Sequence, residues 1–141
     1  MIEFTKKSRG NRRSTGTLLV DVSVTIGSAS KTRKKDHLRF SFSEKARKMI
    51  AGDGFFVVAG TDRGFPGRIY FSPAKEAIGF KLGYSGRNKD AGVHTRCSAV
   101  FGDFEPIIPI SKFVGYYSLE YDPKANLLYI DSKNKMEVTE L

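Results

Sequence analysis

The chain is 141 residues long and 40% hydrophobic, with 11 Phe, 6 Tyr, one Cys and a formal net charge of +9. That length and apolar content fit one domain with its own core and exclude a disordered polymer. The lone Cys97 excludes an intrachain disulfide. No apolar run approaches the ~20 residues that span a bilayer, and the first residues lack the apolar core of a secretory signal. A cytoplasmic protein with no membrane partner is expected.

In chain order, residues 1–16 are polar, aperiodic and rich in Arg, Lys, Ser and Gly, which predicts a flexible basic arm carrying Lys6, Lys7, Arg9, Arg12 and Arg13. A β-rich domain is expected over 17–132. It opens at Leu18 to Ile26, where Val20, Val22, Val24 and Ile26 alternate with polar residues as in a half-buried strand. Gly27 to Asp36 is a polar loop with a second basic cluster, Lys31, Arg33, Lys34 and Lys35. Leu38, Phe40 and Phe42 alternate with Arg39 and Ser41 in a second strand. Ser43 then caps a short helix with Glu44 in its first turn. Ala46, Met49 and Ile50 form its apolar face, Lys45, Arg47 and Lys48 lie elsewhere on it, and Gly52-Asp53-Gly54 ends it.

Phe55 to Ala59 and Arg68 to Phe71 read as strands joined by the turn residues Thr61 to Gly67. Further strands are expected at Ile78 to Tyr84 and at Val93 to Phe101, where Val93, Thr95, Cys97, Ala99 and Phe101 share one side. Ser85 to Gly92 is a loop. A helical turn is expected at Ser111 to Val114, then a hairpin from Tyr116 to Tyr121 and Leu127 to Asp131 around Asp122 to Asn126. Residues 133–141 read as a polar tail. Phe40, Phe42, Phe55 and Phe71 are assigned to the interior. The class is mainly β with one or two short helices, expected as a small barrel.

Two stretches share an order of elements. Residues 38–72 run strand, helix, Gly, strand, turn, strand, and residues 104–131 run strand, single turn, Gly, strand, turn, strand. That order fits a duplicated unit whose halves complete one barrel, although any small β-rich domain can produce it. Phe42 to Ile50 followed by Gly52-Asp53-Gly54 resembles the swapped-hairpin unit of AbrB and MraZ-type DNA-binding proteins, and Ile108-Pro109-Ile110 resembles the strand end of a second copy. Ser43 stands where that family has Pro, and Lys112 where it has an apolar residue. The resemblance covers about half the chain. It implies a DNA-binding homodimer and carries over Arg47 as a DNA contact.

Catalytic and metal chemistry find little footing. His37, His94 and Cys97 are the soft ligands, and His94 and Cys97 would point to opposite faces of a strand. No base stands beside a nucleophile in a recognisable pattern, and Asp103 and Glu105 read as turn solvation. The glycine-bearing loops Gly60 to Gly64 and Gly83 to Arg87 precede no helix able to hold phosphate. Neither an enzyme nor a cofactor is expected.

Charge patterning points elsewhere. Residues 1–48 hold 13 Lys and Arg against four acids, a net of +9, whereas residues 49–141 hold 11 of each. Clustered cations attract polyanions, so nucleic acid is the expected partner, DNA ahead of RNA. The grip is expected from the arm, the 31–35 cluster, Lys45, Arg47, Lys48, Arg63 and Arg87. Arg68, Lys89 and Arg96 are further loop cations, with Phe65 and Tyr84 as stacking platforms. A DNA-binding regulator or architectural protein is the first expectation, and its size and basic arm suit a phage or mobile element. The rivals are a single-stranded DNA binder and a protein-interaction module that inhibits a host enzyme.

Overall fold

Alternation of apolar and polar residues decides the architecture, because each strand can bury only every second side chain. The computed structural model describes residues 20–31, 35–84, 96–101 and 104–137, and these form two antiparallel five-stranded sheets. In chain order they are β1 (Val22–Gly27), β2 (His37–Ser43), α1 (Glu44–Ala51), β3 (Phe56–Asp62), β4 (Phe65–Pro73), β5 (Phe80–Lys81), β6 (Gly83–Tyr84) and β7 (Arg96–Phe101). A 3-10 turn (Ile110–Phe113), β8 (Gly115–Tyr117), β9 (Glu120–Asp122) and β10 (Leu127–Asp131) complete the chain. Sheet A has the order β6-β7-β2-β1-β8 and sheet B the order β5-β3-β4-β10-β9.

The core lies between the sheets. From sheet A it takes Val22, Val24, Leu38, Phe40, Phe42, Cys97, Ala99 and Phe101, and from sheet B Val57, Ile69, Phe71 and Ile130. Phe71 meets Phe40 and Phe42 edge-on across the gap at 5.5 and 5.3 Å between ring centroids, and Phe80 lies 4.4 Å from Phe101. Burying each such ring contributes about 1.5–3 kcal/mol. The expected interior Phe40, Phe42 and Phe71 and the inward row Cys97, Ala99 and Phe101 are all buried. Phe55 is half-buried.

The helix closes one end of the sandwich, with Ala46 and Ile50 in the core. The Ser43 hydroxyl accepts from the Ala46 N–H at 3.0 Å, as its capping position predicts. Gly52 ends the helix at φ +61, a conformation that glycine adopts without steric cost. Met49, expected on the apolar face, is instead 45% exposed.

Two expected strands prove to be corners. The segment 78–84 leaves sheet B after Lys81 and joins sheet A at Gly83, turning on the buried Leu82, whose N–H donates to the Phe55 carbonyl. Ile78 stands outside any strand and is exposed. The segment 116–121 makes the opposite crossing after Tyr117, whose hydroxyl donates to the Phe113 carbonyl at 2.6 Å. The Leu119 N–H then donates to Asp21 Oδ2 at 2.9 Å. Strands that switch sheets make the corners of such sandwiches.

Among the described residues the two sheets are therefore joined along both flanks by the chain but not by a continuous hydrogen-bond ladder, so these residues do not form the expected closed barrel. Nor does the duplication hold, because residues 104–109 carry no strand and β8 pairs with β1 in sheet A. The expected β9–β10 hairpin is present. Part of the expected polar tail docks, since the Met136 N–H donates to the Tyr116 carbonyl at 2.7 Å.

Candidate nucleic-acid interface

The two outer faces differ in charge. Among the described residues, the strands of sheet A contain no Asp or Glu, whereas those of sheet B carry Asp62, Glu120, Asp122 and Asp131. Because Val22, Val24, Leu38, Phe40 and Phe42 point inward, Ser23, Thr25, Arg39 and Ser41 point outward, and β7 adds Ser98 and Val100. Register aligns them across the sheet. Ser41 faces Ser23 on one side and Ser98 on the other, Arg39 faces Thr25 and Val100, and Ser23 also faces Tyr116. The result is a hydroxyl-lined face with an exposed arginine in its middle.

The acids near this face are engaged. Asp36 Oδ1 accepts from the Ala29 N–H at 2.9 Å, Asp21 holds the Leu119 N–H, and Glu105 pairs with Lys35. Glu44 pairs with Arg47 inside the protein at 2.5 Å. Lys31, Arg39, Lys45 and Lys48 remain exposed, with no ion pair among the described residues.

Topology places the expected basic clusters. The 31–35 loop joins β1 to β2 at one end of sheet A, and Lys45 and Lys48 follow β2 at its other end. These two ends are about 20 Å apart at ~3.4 Å per residue. Val20, where the described chain begins, is at the helix end, since Val22 pairs with Phe42. Arg39 stands between the two ends. Lys6, Lys7, Arg9, Arg12, Arg13, Arg33, Lys34, Arg87 and Lys89 lie outside the described residues, as do His94 and the expected loop from 85 to 92.

Three expected surface cations are engaged with the protein itself. Arg47 is 4% exposed. It donates to Glu44, to the Gly52 carbonyl at 3.1 Å and to the Gly54 carbonyl at 2.7 Å, with its guanidinium 4.3 Å from the centre of the Phe55 ring. A residue so committed closes the helix end and is not a DNA contact, which corrects the role implied by the AbrB resemblance. Arg96, in the outward row of β7, is nonetheless buried, donating to Ser41 and to the Val20 carbonyl. Arg68, on sheet B, lies between the rings of Phe65 and Tyr129, 3.8 and 4.2 Å from their centres.

Arg68 belongs to a network that binds the β9–β10 hairpin to β4. Its Nη1 donates to the Tyr70 hydroxyl at 3.0 Å, and that hydroxyl donates to Asp122 Oδ2 at 2.9 Å. Arg68 also faces Asp131 at 3.6 Å. The Ala125 backbone N–H, followed by the Tyr70 hydroxyl, holds the Asp122 carboxyl below the usual range, while burial raises the Tyr70 phenol. Arg63 is exposed at the β3–β4 turn, beside a hollow of about 430 Å³ floored by Tyr70 and Leu127.

Sequence reasoning passed over Arg39 and missed Ser23, Ser41 and Ser98 as a set. Alternation in β2 exposes Arg39 and Ser41, but only the strand register unites the three serines. The fold and this face define a mainly β, two-sheet sandwich in which the described strands of one sheet carry no Asp or Glu. No family model matches the chain, and no curated protein or solved structure matches it either. Among the described residues no helix is long and apolar enough to cross a membrane.

Proposed function

We propose that this is a cytoplasmic nucleic-acid-binding protein that works by binding and not by catalysis, with the outer face of sheet A as its contact surface. The observation that carries this is the charge asymmetry between the sheets: sheet A's described strands hold Arg39 and a row of hydroxyls with no carboxylate, and Lys31 and Lys35 lie between β1 and β2 at one end of them. Cations and hydroxyls of this kind contact phosphates and fix a strand without reading its bases. The surplus of 13 basic over four acidic residues in 1–48 supplies long-range attraction to a polyanion. DNA is the preferred polymer, bound by a homodimer that acts as a regulator or architectural protein.

A single strand is the second reading, favoured by Tyr116, which lies across from Ser23 on this face. Titrating duplex DNA, single-stranded DNA and RNA at two salt concentrations tests both. Phosphate contacts give a log–log salt slope of about −0.9 each on duplex and about −0.7 each on single strands. Failure to bind any of the three at low salt contradicts the proposal.

A further inference from the structure

We propose that Ser41, oriented by Arg96, is the centre of a phosphate-binding subsite completed by Ser23 and Ser98, and that it takes the phosphodiester backbone of a strand and not its bases. This rests on the placement of nucleic acid on sheet A. Arg96 is 8% exposed. Its Nε donates to Ser41 Oγ at 2.8 Å, its Nη2 to the Ser41 carbonyl at 2.9 Å and its Nη1 to the Val20 carbonyl at 2.8 Å.

The consequence is directional. The Ser41 hydroxyl oxygen serves as an acceptor toward a buried cation, so its O–H remains as a donor, and among the described residues nothing accepts it. A hydroxyl that accepts from a guanidinium is polarised and donates more strongly. Ser23 and Ser98 face Ser41 from the neighbouring strands, about 4.5–5.5 Å away. They place three donors in one row, between Arg39 on one side and Arg96 on the other.

A phosphodiester suits this row because its two non-bridging oxygens accept hydrogen bonds and its charge meets no carboxylate on these strands. Serine hydroxyls donate or accept toward several base edges, so such a row discriminates poorly among bases. The serine donors are neutral and release no counterion. Their loss therefore lowers affinity without altering the salt slope, unlike the loss of Arg39.

The test is fluorescence-anisotropy titration of the full chain with a labelled single strand, the matching duplex and an abasic phosphodiester strand of equal length. Ser98→Ala, whose side chain is exposed and makes no hydrogen bond among the described residues, is the primary variant. Ser41→Ala is the stronger one, and Ser41→Thr restores the hydroxyl. The expected result is a loss of about threefold for Ser98→Ala and about tenfold for Ser41→Ala on all three polymers. The salt slopes stay unchanged and Ser41→Thr recovers affinity. Wild-type affinity in both alanine variants, or loss on base-bearing strands alone, overturns the subsite while leaving nucleic-acid binding intact. Absence of binding by the unaltered chain removes the surface reading itself, and the subsite with it.

Discussion

Arg47, Arg68 and Arg96 commit their guanidinium groups to the fold, each through a different chemistry. Arg47 and Glu44 form a buried pair at 2.5 Å, three residues apart on the helix. Removing one partner leaves a buried charge uncompensated, so Arg47→Met is expected to destabilise the protein by about 3–5 kcal/mol in urea unfolding. The nucleic-acid affinity of its folded fraction should not change. At Asp122 the sign follows from a folded pKa held below the unfolded value by the Ala125 N–H and the Tyr70 hydroxyl. The resulting stability is present above the unfolded pKa and is lost as pH falls through the folded one. Acid unfolding of Asp122→Asn should therefore depend less steeply on pH below about 4 than that of the unaltered chain. Equal steepness in the two would count against that carboxylate.

At the scale of elements, local chemistry made much of the fold legible. Alternation marked β1, β2 and β7, and Ser43 with Gly52 bounded the helix. The corners were not legible, because Ile78 to Tyr84 and Tyr116 to Tyr121 look like unbroken strands while Leu82 and Tyr117 turn each from one sheet to the other. Which strands pair depends on contacts far apart in the chain, and no short window encodes them. The same limit hid the serine row; Arg47 differs, because its bonds to Glu44, Gly52 and Gly54 are local and helix periodicity alone does not show them. At the β1–β2 end, a Cβ on Gly27 would stand 2.3 Å from His37 Nε2. Gly27→Ala is thus expected to cost about 1–3 kcal/mol through overpacking, measured as a lowered unfolding midpoint. Between the two basic ends, Arg39→Gln should reduce the magnitude of the duplex salt slope by about 0.9. Arg63→Gln, on the β3–β4 turn of the other sheet, should leave it unchanged.

Across the whole molecule, charge separates two faces of one sandwich. Sheet B's acids hold its own hairpin through Arg68 and Tyr70, and sheet A's strands hold none. On the proposed function, attraction to a polyanion falls on sheet A, with Lys31 at one end of it and Lys45 and Lys48 at the other. Deleting residues 1–16 should weaken binding by the same factor on every sequence tried, whereas a loss confined to one sequence would assign the arm a reading role. The most direct measurement is amide chemical-shift mapping of the 15.7 kDa chain during titration with a short DNA strand. Shifts concentrated at Ser23, Thr25, Arg39, Ser41 and Ser98, with Glu120, Asp122 and Asp131 undisturbed, are expected. Shifts centred on the Asp122 side, or no shifts at low ionic strength, would contradict a strand lying on sheet A.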